Sequence, residues 1–189
     1  MEHDFRVIDT KGTPLLREVA VHDSRGRLIL EARVPHGEES DYAADLARAL
    51  PDILGELRQL LPGQPLIAHN AAHDRVVLEA SFRHCGLVPP ELDWVCTLDG
   101  ARRLHPGLDS YALASLCEQL DVGGEPFCRD QAHPAAYDAR HTYLLHRQQQ
   151  RDEHGRRLHA AANPFSSSRV DTPCQVLYLF TGHAGLSLT

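Results

Sequence analysis

Three β-branched runs fall within the first 34 residues, and beyond them the apolar pattern changes to helices alternating with short strands. That order limits the possible folds more than any other feature of the chain. Residues 5–10 (FRVIDT), 18–23 and 28–34 read as strands, the last two joined by the turn Ser24-Arg25-Gly26, which predicts an antiparallel meander. From 42 to 61 apolar residues recur at Leu46, Leu50, Ile53, Leu54, Leu57 and Leu61, which is a helical period. A short buried strand at 65–68 follows, then a helix at 71–85 closed by Gly86, then a strand at 93–96. Two short helices are expected at 98–104 and 111–120, with Asp109-Ser110 offered as the cap of the second. A long last helix starts near Pro134, where a first helical position tolerates proline, and runs to about residue 160. A meander followed by alternating helix and strand predicts an α/β fold. Its mixed sheet has three antiparallel strands followed by parallel strands, with helices on both faces.

The text changes again after Asn163. Pro164-Phe165-Ser166-Ser167-Ser168 reads as a linker and 175–181 as one isolated strand, so the expected division is a domain at 1–162 and a tail at 163–189. A length of 189 residues suits one domain with a short appendage. No apolar run approaches the roughly 20 residues that span a bilayer. Met1-Glu2-His3-Asp4 has no basic n-region, and the five cysteines include no C-x-x-C pair, so a cytoplasmic protein with reduced thiols is expected. The formal charge of −7 argues against gripping nucleic acid by bulk electrostatics, which needs a basic face. An enzyme that takes a few nucleotides at one strand end, with bound metal ions supplying positive charge, remains compatible.

Three aspartates occupy places where an α/β sheet puts its chemistry. Asp9 ends the first strand, Asp74 opens a helix just after 65–68, and Asp138 lies in the first turns of the last helix, five residues after His133. Taken singly, an aspartate in a first helical turn is most often a partner of the helix dipole, and a histidine before Pro134 is most often a solvated loop residue. Together they suit Mg²⁺ or Mn²⁺, hard cations that take oxygen ligands. Two such ions about 4 Å apart hold a phosphodiester and activate a water. A histidine of pKa about 6.5 is the natural group to deprotonate that water.

The surrounding residues carry a resemblance. Leu66-Ile67-Ala68-His69-Asn70-Ala71-Ala72-His73-Asp74 is similar to the second motif of the DEDDh exonucleases, V-A-H-N-A-x-F-D. His133-Pro134-Ala135-Ala136-Tyr137-Asp138-Ala139 with Thr142 resembles their third, H-x-A-x-x-D-A followed by threonine. Between them, Cys96-Thr97-Leu98, Ala101-Arg102-Arg103-Leu104, Pro106-Gly107 and Ser110-Tyr111-Ala112-Leu113 match the connector. The family includes ribonuclease T, exonuclease X and the proofreading subunit of bacterial DNA polymerase III. The resemblance covers about residues 5–150 and implies a ribonuclease-H-like fold. It also implies metal-dependent 3′→5′ hydrolysis of single-stranded DNA or RNA 3′ ends to nucleoside monophosphates. Asp9, Asp74 and Asp138 would be metal ligands, His133 the general base, and His69 and Asn70 neighbours of the site that touch substrate. Tyr143 and Leu144 are expected in the core, and dimerising members make a homodimer a further expectation.

The first motif departs from the pattern. The family reads D-x-E-T-T-G where this chain has Asp9-Thr10-Lys11-Gly12-Thr13-Pro14, so Lys11 stands in place of a metal-binding glutamate, and of the closing T-T-G only Thr13 survives. Lys11 and Thr13 are read as substrate-side residues. His36-Gly37 resembles a remnant of a nucleotide loop, and His73 replaces a phenylalanine that packs. An ammonium about 4 Å from a divalent ion costs roughly 8 kcal/mol at an effective dielectric of 20. A millimolar metal site supplies only about 4 kcal/mol. An inward Lys11 therefore expels the tighter ion and takes its place beside Asp9 and Asp138. An outward one leaves three aspartates to hold one ion, with Glu18 as a further carboxylate. The expected function is a metal-dependent 3′→5′ exonuclease impaired by Lys11. The alternative is an inactive module that binds nucleic-acid ends or a protein partner, and an oligomeric scaffold is a third reading.

Overall fold

The computed structural model describes residues 4–35, 46, 48–124, 127–128 and 134–162. Strand β1 (Arg6–Gly12) pairs antiparallel with β2 (Leu16–Asp23), and β2 pairs antiparallel with β3 (Leu28–Arg33). On its other side β1 pairs parallel with β4 (Leu66–Ala68), which pairs parallel with β5 (Trp94–Cys96). The order β3-β2-β1-β4-β5 is the mixed sheet that the pattern of runs predicts. Helices α1 (Leu50–Leu60), α2 (Ala71–His84), α3 (Thr97–Leu104), α4 (Leu113–Gln119) and α5 (Ala135–Ala162) complete the fold, with a 3₁₀ turn at Val122–Gly124. No described helix is long and apolar enough to cross a membrane.

The two-residue period of a strand divides the sheet into two faces. Ile8, Val19, Val21 and Leu66 pack with Ile53, Leu54 and Leu57 of α1 and with Val77, Leu78 and Phe82 of α2. The alternate residues face α5. Val7 and Ile67 join Phe5 and Tyr143 there, and Ala20 meets Ala135 and Ala139. Three alanines at that crossing let the helix backbone approach the sheet closely, which brings any polar group beside them within bonding reach.

Several boundaries differ from the sequence reading, most by one or two residues, as where β2 starts at Leu16 rather than 18. Strand β1 runs to Gly12 rather than stopping at Thr10, because the ladder with β2 continues through Thr10↔Val19 and Lys11↔Glu18. The α1 helix begins at Leu50, where Pro51 in its first turn fixes the start; residues 36–45, including His36 and Gly37, lie outside the described residues. Helix α4 begins after Ala112 and has no side-chain cap, so the cap expected from Asp109-Ser110 is not made. Ser110 instead accepts a hydrogen bond from the Ala112 amide in the preceding turn, at 3.3 Å. Tyr143 and Leu144 pack as expected, Leu144 beside Val122 and Phe127. The tail at 163–189 and its expected strand lie outside the described residues.

Glu18 fastens α5 to the sheet. It is buried on β2, on the face shared with Ala20; one carboxylate oxygen accepts from the Ala135 amide at 2.5 Å and the other from Arg33 at 2.8 Å. A carboxylate at the first turn of a helix satisfies an otherwise orphaned N–H and complements the dipole. Glu18→Ala removes both bonds and leaves Arg33 without its partner, and should cost about 2–4 kcal/mol in urea denaturation. Glu18→Gln keeps an acceptor for Ala135 and should cost less than half as much. Equal losses for the two variants would show that the Arg33 pair, not the helix contact, matters.

Candidate active site

Parallel pairing of β1 with β4 covers only Arg6↔Leu66 and Val7↔Ile67. Beyond that the C-terminal half of β1 has no strand on the β4 side, and the chain connections diverge on either side, β1 toward β2 and β4 toward β5. A crevice at such a switch point is where open α/β sheets bind ligands. The Thr10 amide, freed from the ladder there, donates to Oδ1 of Asp74 at 2.8 Å, and the Thr10 hydroxyl donates to the same oxygen at 2.9 Å. Asp74 is thereby fixed at the start of α2 by the residue that follows Asp9. Nothing in the sequence reading singled out Thr10; its signal was a hydroxyl next to Asp9 but on the opposite face of the strand.

Asp9 and Lys11, two residues apart on β1, point to the same side, toward α5. The Lys11 ammonium lies 2.9 Å from Oδ2 of Asp9 and donates to Oδ2 of Asp138 at 2.5 Å. Its side chain is 31% exposed and both carboxylates are 15% exposed, so the group is a partly buried ion triad rather than a surface pair. Lys11 therefore points inward, the first of the two alternatives open in the sequence. Burial works against its charge, but Asp9 and Asp138 more than offset this and hold its pKa above the ordinary value. Burial pushes Asp9 up to about 7 in spite of Lys11, with Asp74 and Asp138 adding repulsion. Burial also raises Asp74 to about 6, against the pull of the two Thr10 hydrogen bonds.

The remaining expected residues divide into three groups. Glu18 shares the face of Asp9 and Lys11 but is committed to Ala135 and Arg33, so it supplies no carboxylate to the cluster. Thr13 is exposed, with its hydroxyl turned onto the Gly12 carbonyl at 2.7 Å. His73 is exposed beside Asp74, so its ring does not pack as the replaced phenylalanine would. Asn70 is exposed at the N-cap of α2 in the left-handed region (φ 62°) and its side chain makes no cap bond. His69 is half-buried. Its Nε2 is 3.1 Å from the Tyr111 carbonyl and its Nδ1 is 3.0 Å from the Thr97 hydroxyl. A carbonyl only accepts, so Nε2 donates and Nδ1 accepts, the arrangement of a neutral imidazole. Burial lowers the His69 pKa accordingly. His69 is a brace between the end of β4 and the loop before α4. His133 lies outside the described residues.

A resident pair of divalent ions does not fit this arrangement. The position between Asp9 and Asp138 is taken by an ammonium, and among the described residues no group of three His, Cys, Asp or Glu side chains is arranged to hold a metal.

Known proteins place this geometry in context. No family model matches the chain. It is 34% identical over 107 residues to a PolC-type DNA polymerase III of Oceanobacillus iheyensis, a match covering 56% of the chain and 7% of that protein. It is 31% identical over 90 residues to the 3′-5′ exonuclease DinG of Bacillus subtilis, covering 48% of the chain and 9% of that protein. The matched segments are thus under a tenth of these relatives' lengths. The solved structure of exonuclease X in complex with 5′ overhanging duplex DNA superposes with a TM-score of 0.54 at 22% identity, over 78% of this chain and 91% of that one. The chain is similar in sequence to these polymerase and exonuclease segments, and in fold to exonuclease X. The fold is ribonuclease-H-like, similar to that of exonuclease X, and Asp9, Asp74 and Asp138 come together at one crevice of its sheet.

Raised carboxylate pKa values carry a sign for stability. Asp74 binds its proton more tightly in the folded chain, so its favourable contribution is complete below about pH 4 and is lost as pH rises through about 6. Asp74→Asn keeps an oxygen for the Thr10 donors and removes the buried charge. It should flatten the fall in melting temperature over that range and raise stability at pH 8 by up to roughly 3 kcal/mol. An Asp74→Asn protein less stable than wild type at pH 8 would show that the ionised carboxylate is needed.

Proposed function

We propose that this domain binds the 3′ ends of nucleic acids in the manner of 3′→5′ exonucleases, and that Lys11 keeps hydrolysis slow. The observation that carries this reading is the ammonium held between Asp9 and Asp138. It offsets part of the negative charge of the carboxylates that a phosphodiester would meet, without a recruited cation. Its presence also withholds the ligand and the vacancy that a tightly held divalent ion would need. The relatives of Oceanobacillus and Bacillus are a PolC-type DNA polymerase III and a 3′-5′ exonuclease, which supports nucleic acid as the ligand class. A purely protein-binding module is less well supported, since buried carboxylates with raised pKa values at a crevice serve no such surface.

Labelled single strands incubated with the chain test both halves. Binding to a 3′-hydroxyl end should persist in a chelator, and hydrolysis in Mg²⁺ should be slow. Lys11→Glu changes the local charge by two and puts an oxygen ligand beside Asp9 and Asp138. Cleavage in Mg²⁺ or Mn²⁺ should then rise by at least about tenfold, with nucleoside monophosphates released from the 3′ end. Fast cleavage by the wild-type chain, slowed by Lys11→Glu, would overturn the role given to Lys11. If Lys11→Glu gains neither metal binding nor turnover, hydrolysis is absent for a reason other than this one side chain.

A further inference from the structure

Beyond His69 the crevice continues into an open groove of about 670 Å³, within the size range of ligand sites. Its lining includes Asn70, Leu98, Arg102, Asp109, Ser110 and Leu113, none of which belongs to the ion triad. One wall is apolar, from Leu98 and Leu113. In the same lining the Arg102 guanidinium lies over the Tyr111 ring, 5.9 Å from its centre. Its ion pair with Asp99 is long, at 3.5 Å, and the two side chains are 60% and 72% exposed, so the guanidinium is available to an incoming anion. Asn70 presents an uncommitted amide to the same space. His69 itself lines the groove, and Asp138 of the triad and Arg102 of the groove both lie near enough to act on its charge, with opposite signs. The Tyr111 carbonyl held by His69 fixes the groove wall to the end of β4.

Apolar side chains, a planar cation and an amide suit a nucleotide: the base lies against the leucines, the phosphodiester takes the fork of the guanidinium, and the amide reaches a base or sugar edge. We propose that this groove is a nucleotide subsite for a strand whose 3′ end lies at Asp9, Lys11 and Asp138. The subsite takes the nucleotide next to the terminal one, with its phosphate on Arg102 and its base against Leu98 and Leu113. The inference rests on the reading of the domain as a 3′-end binder. Asp109 opposes the phosphate from the same lining, which gives the test two opposite signs.

Fluorescence anisotropy with 5′-labelled single strands of about ten nucleotides, with chelator present, measures strand affinity, and competition by a nucleoside monophosphate measures the terminal position alone. Arg102→Ala should weaken the strand about five- to tenfold and lower the slope of log affinity against log salt by about one. Asp109→Asn should strengthen the strand about two- to threefold. Neither variant should change the monophosphate's affinity, and both residues are exposed, so melting temperatures should stay at the wild-type value. If the wild-type chain binds strands but both variants bind them equally well, the subsite is wrong and the end-binding reading stands. Loss of monophosphate affinity in Arg102→Ala equal to the loss for the strand would also overturn it, by placing Arg102 at the terminal nucleotide. A wild-type chain that binds neither strand nor monophosphate overturns both.

Discussion

Gathering Asp9, Asp74 and Asp138 at one end of a sheet creates a cost that something must offset. Burial alone raises the pKa of Asp9 and of Asp74, and around Asp9 each further carboxylate adds repulsion. The Lys11 ammonium is the compensating charge, within 2.9 Å of Asp9 and 2.5 Å of Asp138. Much of the surrounding structure serves that contact. Ala20, Ala135 and Ala139 bring α5 down onto the sheet, so that Asp138 is close enough to be reached. Glu18 holds the first turn of the same helix, and Thr10 holds Asp74 from the other side of β1. A bulkier residue at any of the three alanines would lift the helix and pull Asp138 from the ammonium before it touched the cluster itself.

The sheet was legible because it rests on local pattern, and the three aspartates because the residues around them resemble known motifs. Alternation along β1 and β2 assigns each side chain a face, while position at a strand end or helix start would by itself have been a weak signal. The direction of Lys11 was not legible. The β-branched run ends at Thr10, and neither lysine nor glycine favours a strand, so the sequence places Lys11 in a loop where a flexible stem turns either way. Pairing with Glu18 on β2 extends the strand through Lys11, and that register puts it on the face of Asp9. A contact 127 positions away, to Asp138, then fixes the ammonium. Tertiary pairing settled a question on which local propensity was silent.

Two other readings failed for a similar reason. Asp109-Ser110 has the chemistry of a helix cap, yet the helix starts later and the serine closes a turn instead, because hydroxyls bond to nearby backbone in several geometries. Glu18 has the chemistry of a metal ligand and even the correct face, but the arrival of α5 and the neighbouring Arg33 claim both its oxygens. Carboxylate chemistry names candidates; competition among donors decides which remain free. Thr10 shows the converse. An unremarked hydroxyl and amide became the partners of Asp74 because β4 is too short to pair with that part of β1.

The choice of lysine, rather than any residue that merely lacks a carboxylate, has a physical consequence. A neutral side chain at position 11 would leave Asp9 and Asp138 facing each other across a partly buried gap, and the fold would then depend on a recruited cation or on protonation of Asp9 near neutral pH. An ammonium on a four-carbon stem removes that dependence, because its charge is covalently attached and no ion has to bind before the domain is stable. The same substitution that makes the crevice self-sufficient lowers its appetite for divalent metal. One ammonium between two carboxylates leaves the cluster without net positive charge, so it supplies far less pull on a phosphodiester than two divalent ions would. On the proposed reading of the domain as a 3′-end binder, this one side chain is what separates binding from hydrolysis.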